Sequence, residues 1–238
     1  MPDLTHRSTA LERMDDRSIG GDELAEALRQ LRVINRALGS AWPTLEGVLR
    51  LWHGAGKPAQ LTILDIGAGS GDINWLLLAW AARRRIALRI ILVDIHPETC
   101  AAAAAYYHDE PRVEIVCGDL MCLGVRAADI VTAALFTHHF PSEQLPEVFL
   151  ALARAARIGV VVNDLHRHIV AWSAIWAATR LLSRNRMIRH DAPLSVLRGF
   201  RTADLRRLGA TPGLARLMYT WRPFFRYLIT LPGAAPAS

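Results

Sequence analysis

The chain has 238 residues, a length typical of one α/β domain with a full hydrophobic core. Hydrophobic residues make up 52% of it, which excludes an intrinsically disordered protein. The formal charge is +6, but no run of five or more like charges occurs, and this spread is more typical of a solvated surface than of a nucleic-acid-binding track.

Cysteine content and the N-terminus bear on the compartment. The three cysteines, Cys100, Cys117 and Cys122, lack the spacing of a metal site, and a sparse, odd set fits a reducing environment. The first 17 residues are charged and contain no apolar stretch, so they do not resemble a signal peptide. We therefore expect a cytoplasmic protein.

The chain begins with a polar segment that is followed by two amphipathic patterns. Residues 1–20 are polar, and we expect the start of the chain to be mobile. Apolar residues recur at helical spacing over 21–38, and a second helix is predicted over 43–52. These elements predict a helical N-terminal cover over residues 1–58, followed by the main domain over 59–238.

The most informative stretch is a short apolar run that ends in a glycine-rich turn. Residues 61–66 predict a buried strand, and the turn reads Gly-Ala-Gly-Ser-Gly-Asp over 67–72. Glycine allows the sharp turn and lets a ligand lie against the backbone amides. The dinucleotide-binding pattern has its third glycine where this chain has Asp72, and a carboxylate there repels a pyrophosphate. With Asp65 just before the turn, the acids favour a positively charged cofactor over a nicotinamide dinucleotide.

The sequence Asp-Ile-Gly-Ala-Gly-Ser-Gly-Asp, over residues 65–72, resembles the first motif of the class I S-adenosylmethionine-dependent methyltransferases. Their cofactor carries a sulfonium and an ammonium group and no phosphate, in agreement with the acids of the turn. The resemblance implies an α/β fold, with a Rossmann-like, seven-stranded, mostly parallel sheet and helices on both faces. We expect extra N-terminal helices and a substrate-lid insertion after strand five, over about 166–200. The N-terminal helices then cover the substrate side of the site, or alternatively only pack against the sheet edge.

Two further strands end in acids that the resemblance assigns to the cofactor. Strand 88–94 ends in Asp94, which is expected to accept both ribose hydroxyls; alternatively, it caps the helix that begins near Pro97. Strand 112–116 is followed by Asp119, which the resemblance places at the adenine amino group; alternatively, it is a turn residue. The cofactor site that the resemblance implies is Asp65, Gly67, Ala68, Gly69, Asp72, Asp94, Ile95, Gly118, Asp119, Leu120 and Leu135.

Histidines follow the fourth and fifth predicted strands, at the edge where an open α/β sheet binds its ligands. Strand 128–135 leads to His138 and His139, which either take part in the chemistry or only shape the pocket. The next strand ends in Asp164, and His166 follows two residues later. We expect Asp164 to orient the ring of His166, and we rank His166 first among the candidate bases because a pKa near 6.5 suits proton removal at neutral pH. Alternatively, both residues cap the next helix.

The last third of the chain contains its most apolar helix. A helix is predicted over 169–182, which is too short to span a bilayer, since spanning takes about 20 residues. It either lies buried with its tip as a hydrophobic substrate lid, the interpretation we favour, or rests on a membrane surface. The segment 187–201 contains a proline and a glycine and is predicted to be irregular. A helix over 202–208 precedes two antiparallel strands, 214–219 and 224–231, which close the sheet.

The sequence thus predicts S-adenosylmethionine-dependent methyl transfer to a small apolar acceptor, such as a phenolic or polyketide-like compound, at a hydroxyl oxygen. The apolar acceptor is inferred from four aromatic residues near the expected pocket, Phe136, Phe140, Trp172 and Trp176. C-methylation of a quinone- or lipid-like substrate and a non-catalytic S-adenosylmethionine-binding module are the alternatives. An Asn/Asp-Pro-Pro-aromatic motif, typical of nucleic-acid methyltransferases, does not follow strand four, so we expect no nucleic-acid partner. We also expect no metal, and the oligomeric state is left open.

Overall fold

The computed structural model describes residues 2–16, 19–122 and 124–233. These residues form seven β-strands in one sheet and eight α-helices. The strands in chain order are β1 (Gln60–Ile66), β2 (Ala87–Asp94), β3 (Val113–Cys117), β4 (Ala128–Ala134), β5 (Ala156–Leu165), β6 (Met218–Arg222) and β7 (Arg226–Pro232). The helices are α1 (Gly21–Ala37), α2 (Ala41–Gly54), α3 (Trp75–Arg84), α4 (Pro97–Tyr106), α5 (Leu145–Ala155), α6 (Ile169–Leu182), α7 (Arg186–Arg198) and α8 (Thr202–Gly209).

The sheet has the strand order β3-β2-β1-β4-β5-β7-β6. Strands β1 to β5 are parallel to one another, whereas β7 runs antiparallel to both β5 and β6. The predicted seven-stranded, mostly parallel α/β sheet with its antiparallel closing pair is therefore confirmed. The chain leaves β3 at one edge and returns to place β4 beside β1, so β1 and β4 flank the switch point where open sheets bind ligands.

The central strands form because their sequences are nearly continuous apolar runs, which parallel strands covered on both faces require. Ile63 of β1 pairs with Ile90 of β2 and with Ile130 of β4, and all three side chains are buried. Successive residues face opposite sides of the sheet, so β1 contributes Ile63 to one apolar core and Leu64 to the other.

Helices cover both faces of the sheet, as predicted. On one face, α5 and α8 pack against β4, β5 and β7. On the other face, α2 and α3 cover β1 and β2. Gly47 allows α2 to approach closely, because a Cβ at this position would lie 2.4 Å from Cγ1 of Val161. Helix α1 instead packs with α7 in a separate apolar cluster above the carboxyl edge of the sheet.

The segment 187–201, predicted to be irregular, is mostly helix α7, so that prediction is wrong. Asn185 begins the helix, because its side chain accepts a hydrogen bond from the amide of Ile188 at 3.0 Å. Pro193 lies inside the helix and cannot donate to the carbonyl of Arg189. Nη1 of Arg180 lies 3.4 Å from that carbonyl oxygen and donates to it instead. A side chain of α6 thus compensates for the proline.

The N-terminal segment, expected to be mobile at its start, is bound to α7. The amide of Ser8 donates to the carbonyl of Leu197 at 3.1 Å. The amides of Arg13 and Met14 donate to the carboxylate of Asp191 at 2.8 and 3.0 Å. These contacts place the residues that follow Ser8 above the carboxyl edge of the sheet. None of the helices within the described residues has the length and apolar character needed to cross a membrane.

Candidate active site

A cavity of about 790 Å³ opens at the carboxyl ends of β1, β2 and β4. It lies at the switch point of the sheet, where the topology predicts a ligand site. All eleven residues predicted to bind the cofactor line this cavity, and so do His138 and His139. Asp164 and His166 are not among the described residues that line the cavity.

The glycine turn forms one wall of the cavity. Gly67 and Gly69 have φ angles of 62° and 57°, in the left-handed region that favours glycine. A Cβ on Gly67 would lie 1.9 Å from Cδ2 of Phe136, so the backbone passes directly against that ring. The hydroxyl of Tyr107 donates to the carbonyl of Gly71 at 2.6 Å. These contacts fix the shape of the turn and leave its backbone facing the cavity.

The two acids beside the turn have different environments. Asp65 is buried, and its carboxylate accepts hydrogen bonds from Asn74 Nδ2 and from Thr132 Oγ1, both at 2.6 Å. Burial raises the pKa of Asp65 to about 6 despite these two bonds. Asp72 accepts from Asn35 Nδ2 at 3.1 Å, which ties the turn to helix α1, and burial raises its pKa as well. Both carboxyls line the cavity, and a cationic group bound there would favour their ionised forms.

Asp94, at the end of β2, accepts two backbone hydrogen bonds. Oδ2 accepts from the amide of Gly69 and Oδ1 accepts from the amide of His96, each at 3.0 Å. The alternative of a helix cap is not realised, because α4 has His96 at its N-cap and no side-chain capping bond. A carboxylate offers about four acceptor positions, so Asp94 retains two for a ligand.

The third predicted cofactor segment follows β3. Asp119 is exposed, and its Oδ1 accepts from the amide of Met121 at 2.9 Å. Leu120 is buried beside it, whereas Met121 and Ile95 are exposed at the same end of the cavity. An acid flanked by apolar side chains at this position is compatible with the predicted adenine contact, which stays a prediction.

His138 forms a buried pair with Asp164. Its Nδ1 donates to Oδ1 of Asp164 at 2.6 Å, and Oδ2 of Asp164 accepts from the hydroxyl of Thr137 and the amide of His138. Its Nε2 lies 3.5 Å from Oε1 of Glu12, which comes from the N-terminal segment. Burial opposes protonation of His138, but the charges of Asp164 and Glu12 outweigh it and raise the pKa of His138 to about 9. Although burial acts the other way, the charge and bonds of His138 hold the pKa of Asp164 well below its usual range.

Arg198 of α7 holds the turn that carries the two histidines. Its side chain donates to the carbonyls of Ala10, His138 and His139, which connects the N-terminal segment to this turn. His139 is bound in turn by Asp15, whose Oδ1 lies 2.6 Å from Nδ1 of the ring. His138 and His139 are therefore held by contacts from the N-terminal segment, from β5 and from α7.

Glu12, His138 and His139 each offer one potential metal-ligand atom, and these atoms lie within 4.8 Å of one another. However, Nε of Arg198 is only 3.7 Å from Oε1 of Glu12. A guanidinium at this distance repels a divalent cation, so the cluster is better suited to a proton. The expected absence of a metal stays a prediction.

His166 lies outside the cavity, and the predicted pairing with Asp164 is wrong. Nδ1 of His166 accepts from Nε1 of Trp221 at 3.2 Å, and its ring packs against Tyr227 at a centroid distance of 5.1 Å. The carboxylate of Asp164 is occupied by the residues after β4, because β4 and β5 are adjacent and parallel and their carboxyl ends meet. Asp164 therefore bonds to His138, 26 positions earlier in the chain, and not to His166, two positions later.

Solved structures of similar fold include several methyltransferases. The plantazolicin methyltransferase BpumL in complex with S-adenosylhomocysteine (SAH) matches with a TM-score of 0.63 and 13% identity, over 88% of this chain and 90% of that one. The magnesium protoporphyrin IX methyltransferase of Synechocystis PCC 6803, with bound SAH, matches with 0.55 and 17% identity, over 84% and 87%. The citrinin polyketide synthase CMeT domain matches with 0.53 and 15% identity over 74% of this chain, but the chain spans only 47% of that domain.

The sequence itself matches a family model. Residues 63–159 match a model described as a methyltransferase domain, a segment that runs from β1 into β5 and includes the glycine turn, Asp94 and Asp119. The match to this model and the shared fold support a class I S-adenosylmethionine-dependent methyltransferase. The family, fold and cofactor predicted from the sequence are confirmed. A search of curated protein sequences found no match.

The cavity of this methyltransferase fits S-adenosylmethionine at the glycine turn. A Cβ on Gly67 would fill the position now taken by Phe136, and acids rather than bases surround the turn. The two unused acceptor positions of Asp94 suit a pair of hydroxyls. The residues present therefore match a cofactor that carries a ribose and positive charge.

The methyltransferase encloses the rest of the cavity with helices outside its sheet. One face of α6 lines the cavity with small and apolar residues. These residues are Ala171, Ala174, Ile175 and Ala178. The opposite side of α6 leaves Trp176 exposed, and its end leaves Leu181 and Leu182 exposed. Helices α1 and α7 add further apolar walls, so the space beyond the cofactor region is predominantly apolar.

Sequence reasoning missed several residues of the site. Glu12 and Asp15 lie in a segment that was expected only to be polar, and nothing in its pattern indicates a contact with His138 or His139. Arg198 and Arg226 are buried, although scattered arginines predicted a solvated surface. A weak signal existed for the pair of His138 and Asp164, because both follow neighbouring parallel strands at the ligand-binding edge.

Proposed function

We propose that this methyltransferase methylates a hydroxyl oxygen of a small apolar acceptor, of phenolic or polyketide-like type, and that His138 removes the hydroxyl proton. S-adenosylmethionine supplies an electrophilic methyl group on its sulfonium. The chain's residues position the acceptor in line with that methyl group and take up the proton. Positioning provides most of the rate in such a reaction, and a base adds about 10²–10⁴-fold.

The observation that carries this proposal is the buried pair of His138 and Asp164 at the cavity. Asp164 fixes the ring through Nδ1 at 2.6 Å, so Nε2, which lies 3.5 Å from Glu12, is the nitrogen that can exchange a proton. This is the arrangement of an acid, a histidine and a substrate hydroxyl in which the acid sets the tautomer. Among the described residues, His166 has no carboxylate partner and does not line the cavity, so we prefer His138.

The pKa of about 9 matches His138 to a weakly acidic hydroxyl. A phenol titrates near 10, so neutral His138 is basic enough to take up its proton. Charged or titratable groups from four segments surround the ring. They are Arg7 and Glu12 of the N-terminal segment, His139 of the turn after β4, Asp164 of β5 and Arg198 of α7. Only the two carboxylates raise the pKa of His138, so they set the pH at which the base becomes active.

The apolar walls from α1, α6 and α7 support an apolar acceptor. Helix α6 supplies four of the lining residues, which supports the substrate-lid role proposed for residues of about 166–200. The helical cover over 1–58 contributes through Glu12 and α1. The cytoplasmic location stays a prediction.

C-methylation is a second candidate, because the same base can take a proton from an acidic carbon. One structure of similar fold is the CurJ carbon methyltransferase, with a TM-score of 0.54 and 15% identity. A methylated product distinguishes the two outcomes, since a carbon-bound and an oxygen-bound methyl group differ clearly in their NMR shifts. A protein that binds S-adenosylmethionine but methylates nothing is the remaining alternative.

The test is the pH dependence of turnover with a panel of phenolic acceptors. We expect turnover to rise with pH until about 9, because only neutral His138 accepts a proton. Glu12→Gln removes one of the two charges that raise this pKa, so the rise should move to lower pH. His138→Gln should lower turnover by about 10²-fold or more and leave the affinity for SAH unchanged. His166→Gln is the control and should retain turnover.

Two results would contradict the proposal. The first is normal turnover of His138→Gln together with loss of turnover in His166→Gln, which would restore His166 as the base. The second is a pH profile that Glu12→Gln leaves in place, which would separate Glu12 and His138 from the proton transfer.

A further inference from the structure

Arg226, the first residue of β7, is a buried cation with an incomplete set of partners. It is 2% exposed and lines the cavity. Its Nη2 donates to the hydroxyl of Ser40. Within the described residues, no acceptor lies in hydrogen-bonding distance of its Nε or Nη1.

This arrangement is unfavourable unless a ligand completes it. A buried guanidinium with two unpartnered nitrogens, Nε and Nη1, loses the hydration of their three N–H groups. The carboxylate of Asp164 attracts Arg226 through its charge, but its oxygens accept from Thr137, His138 and Leu165 instead. A carboxylate oxygen can accept from Nη1, or the two oxygens can accept from Nε and the second N–H of Nη2, which form a planar fork.

The strand that carries Arg226 is separated from the strand that carries the glycine turn. In the sheet order, β4 and β5 lie between β1 and β7. With about 4.8 Å between neighbouring strands, β7 is about 14 Å from the strand that carries the glycine turn. The turn that carries His138 follows β4, between the two. The backbone of Arg226 therefore lies on the far side of the proposed base from the cofactor, beside Phe224 and Phe225 in the cavity wall. Its guanidinium reaches back to Ser40, whose hydroxyl donates to Asn35 at 3.2 Å. Asn35 in turn donates to Asp72 of the glycine turn, so the cofactor's carboxylate is the competing ligand that the test has to separate.

We propose that Arg226 binds a carboxylate of the acceptor, so that the substrate is an apolar hydroxy acid held with its hydroxyl at His138 and its carboxylate at Arg226. This inference rests on the proposed function for the position of the acceptor. The same chemistry has a second source, the carboxylate of the cofactor's amino-acid portion. Oδ1 of Asn163 also has no hydrogen-bond partner among the described residues. A water molecule that bridges this oxygen and Arg226 would satisfy the guanidinium without a carboxylate from the acceptor or from the cofactor.

The test compares hydroxynaphthoic acids, in which the two substituents are differently spaced, with their methyl esters. Binding is measured on the SAH-loaded protein by calorimetry, and turnover is measured with S-adenosylmethionine. We expect at least one acid to bind the wild-type protein about tenfold or more tightly than its ester. Arg226→Met should abolish this difference without changing the affinity for SAH. Arg216→Met, which replaces an exposed arginine outside the cavity, should retain it.

Equal binding of every acid and its ester to the wild-type protein would overturn the inference, and this comparison does not depend on the folding of a variant. Loss of SAH affinity in Arg226→Met, with the preference for acids retained, would assign the guanidinium to the cofactor and also overturn it. An Arg226-dependent preference for acids without any methyl transfer would support the inference and contradict the proposed function. Methyl transfer to acids and esters at equal efficiency would support the proposed function and contradict the inference about Arg226.

Discussion

Asp94→Ala should weaken the binding of SAH by a predictable amount. Each carboxylate oxygen accepts one backbone amide, from Gly69 or His96 at 3.0 Å, and keeps one further acceptor position. Two ribose hydroxyls would occupy these positions with bonds to a charged group, each worth about 1.5–3 kcal/mol. Taking the lower value for both, the loss is about 3 kcal/mol, or roughly 150-fold in affinity.

The assay is calorimetric titration of SAH into the wild-type protein, Asp94→Ala and a control. Asp109→Ala is the matched control, because this aspartate is exposed and lies outside the cavity. Thermal unfolding of the free proteins shows how far the two lost amide bonds alone disturb the glycine turn. A change in SAH affinity of less than about threefold would refute the reasoning, and Asp94 would then only brace the turn.

Three further predictions follow from the cavity walls. Gly67→Ala should abolish SAH binding and lower the stability of the protein, because the new Cβ would lie 1.9 Å from Phe136 at a φ of 62°. Gly54→Ala is the control and should change neither, because its Cβ would meet nothing within 4 Å. Normal SAH affinity in Gly67→Ala would contradict this account of the turn. Dialysis against EDTA should leave turnover unchanged, since Arg198 disfavours a cation beside Glu12; a loss that Zn²⁺ or Mg²⁺ restores would assign the cluster to a metal. The chain should not sediment with anionic vesicles if α6 serves as a cavity wall; salt-sensitive sedimentation that Leu181→Glu abolishes would favour the membrane-surface alternative.

The candidate cofactor residues could be placed together from the sequence because they are local in sequence. β1, the glycine turn and Asp94 lie within two consecutive strand units, and parallel strands place their carboxyl ends at one edge. Each residue type also has a direct physical purpose there, such as the positive φ of Gly67. All eleven predicted cofactor residues consequently line one cavity.

The acceptor half could not be predicted in the same way, because its contacts join distant segments. Glu12 reaches His138 across 126 positions, and only the packing of α7 brings the N-terminal segment to that place. The proximity of Asp164 and His166 in sequence suggested a pair, but the register of β4 and β5 assigns Asp164 to His138. Pro193 predicted a break, and the side chain of Arg180 made a continuous helix possible.

The central claim is methyl transfer from S-adenosylmethionine with His138 as the base, and transfer of a trideuteromethyl group tests it most directly. The protein is incubated with trideuteromethyl-labelled cofactor and hydroxynaphthoic acids, and the products are analysed by mass spectrometry and NMR. We predict an oxygen-bound labelled methyl group with the wild-type protein and with His166→Gln, and its loss in His138→Gln, which should still bind SAH. Labelled product formed equally well by His138→Gln would contradict the account.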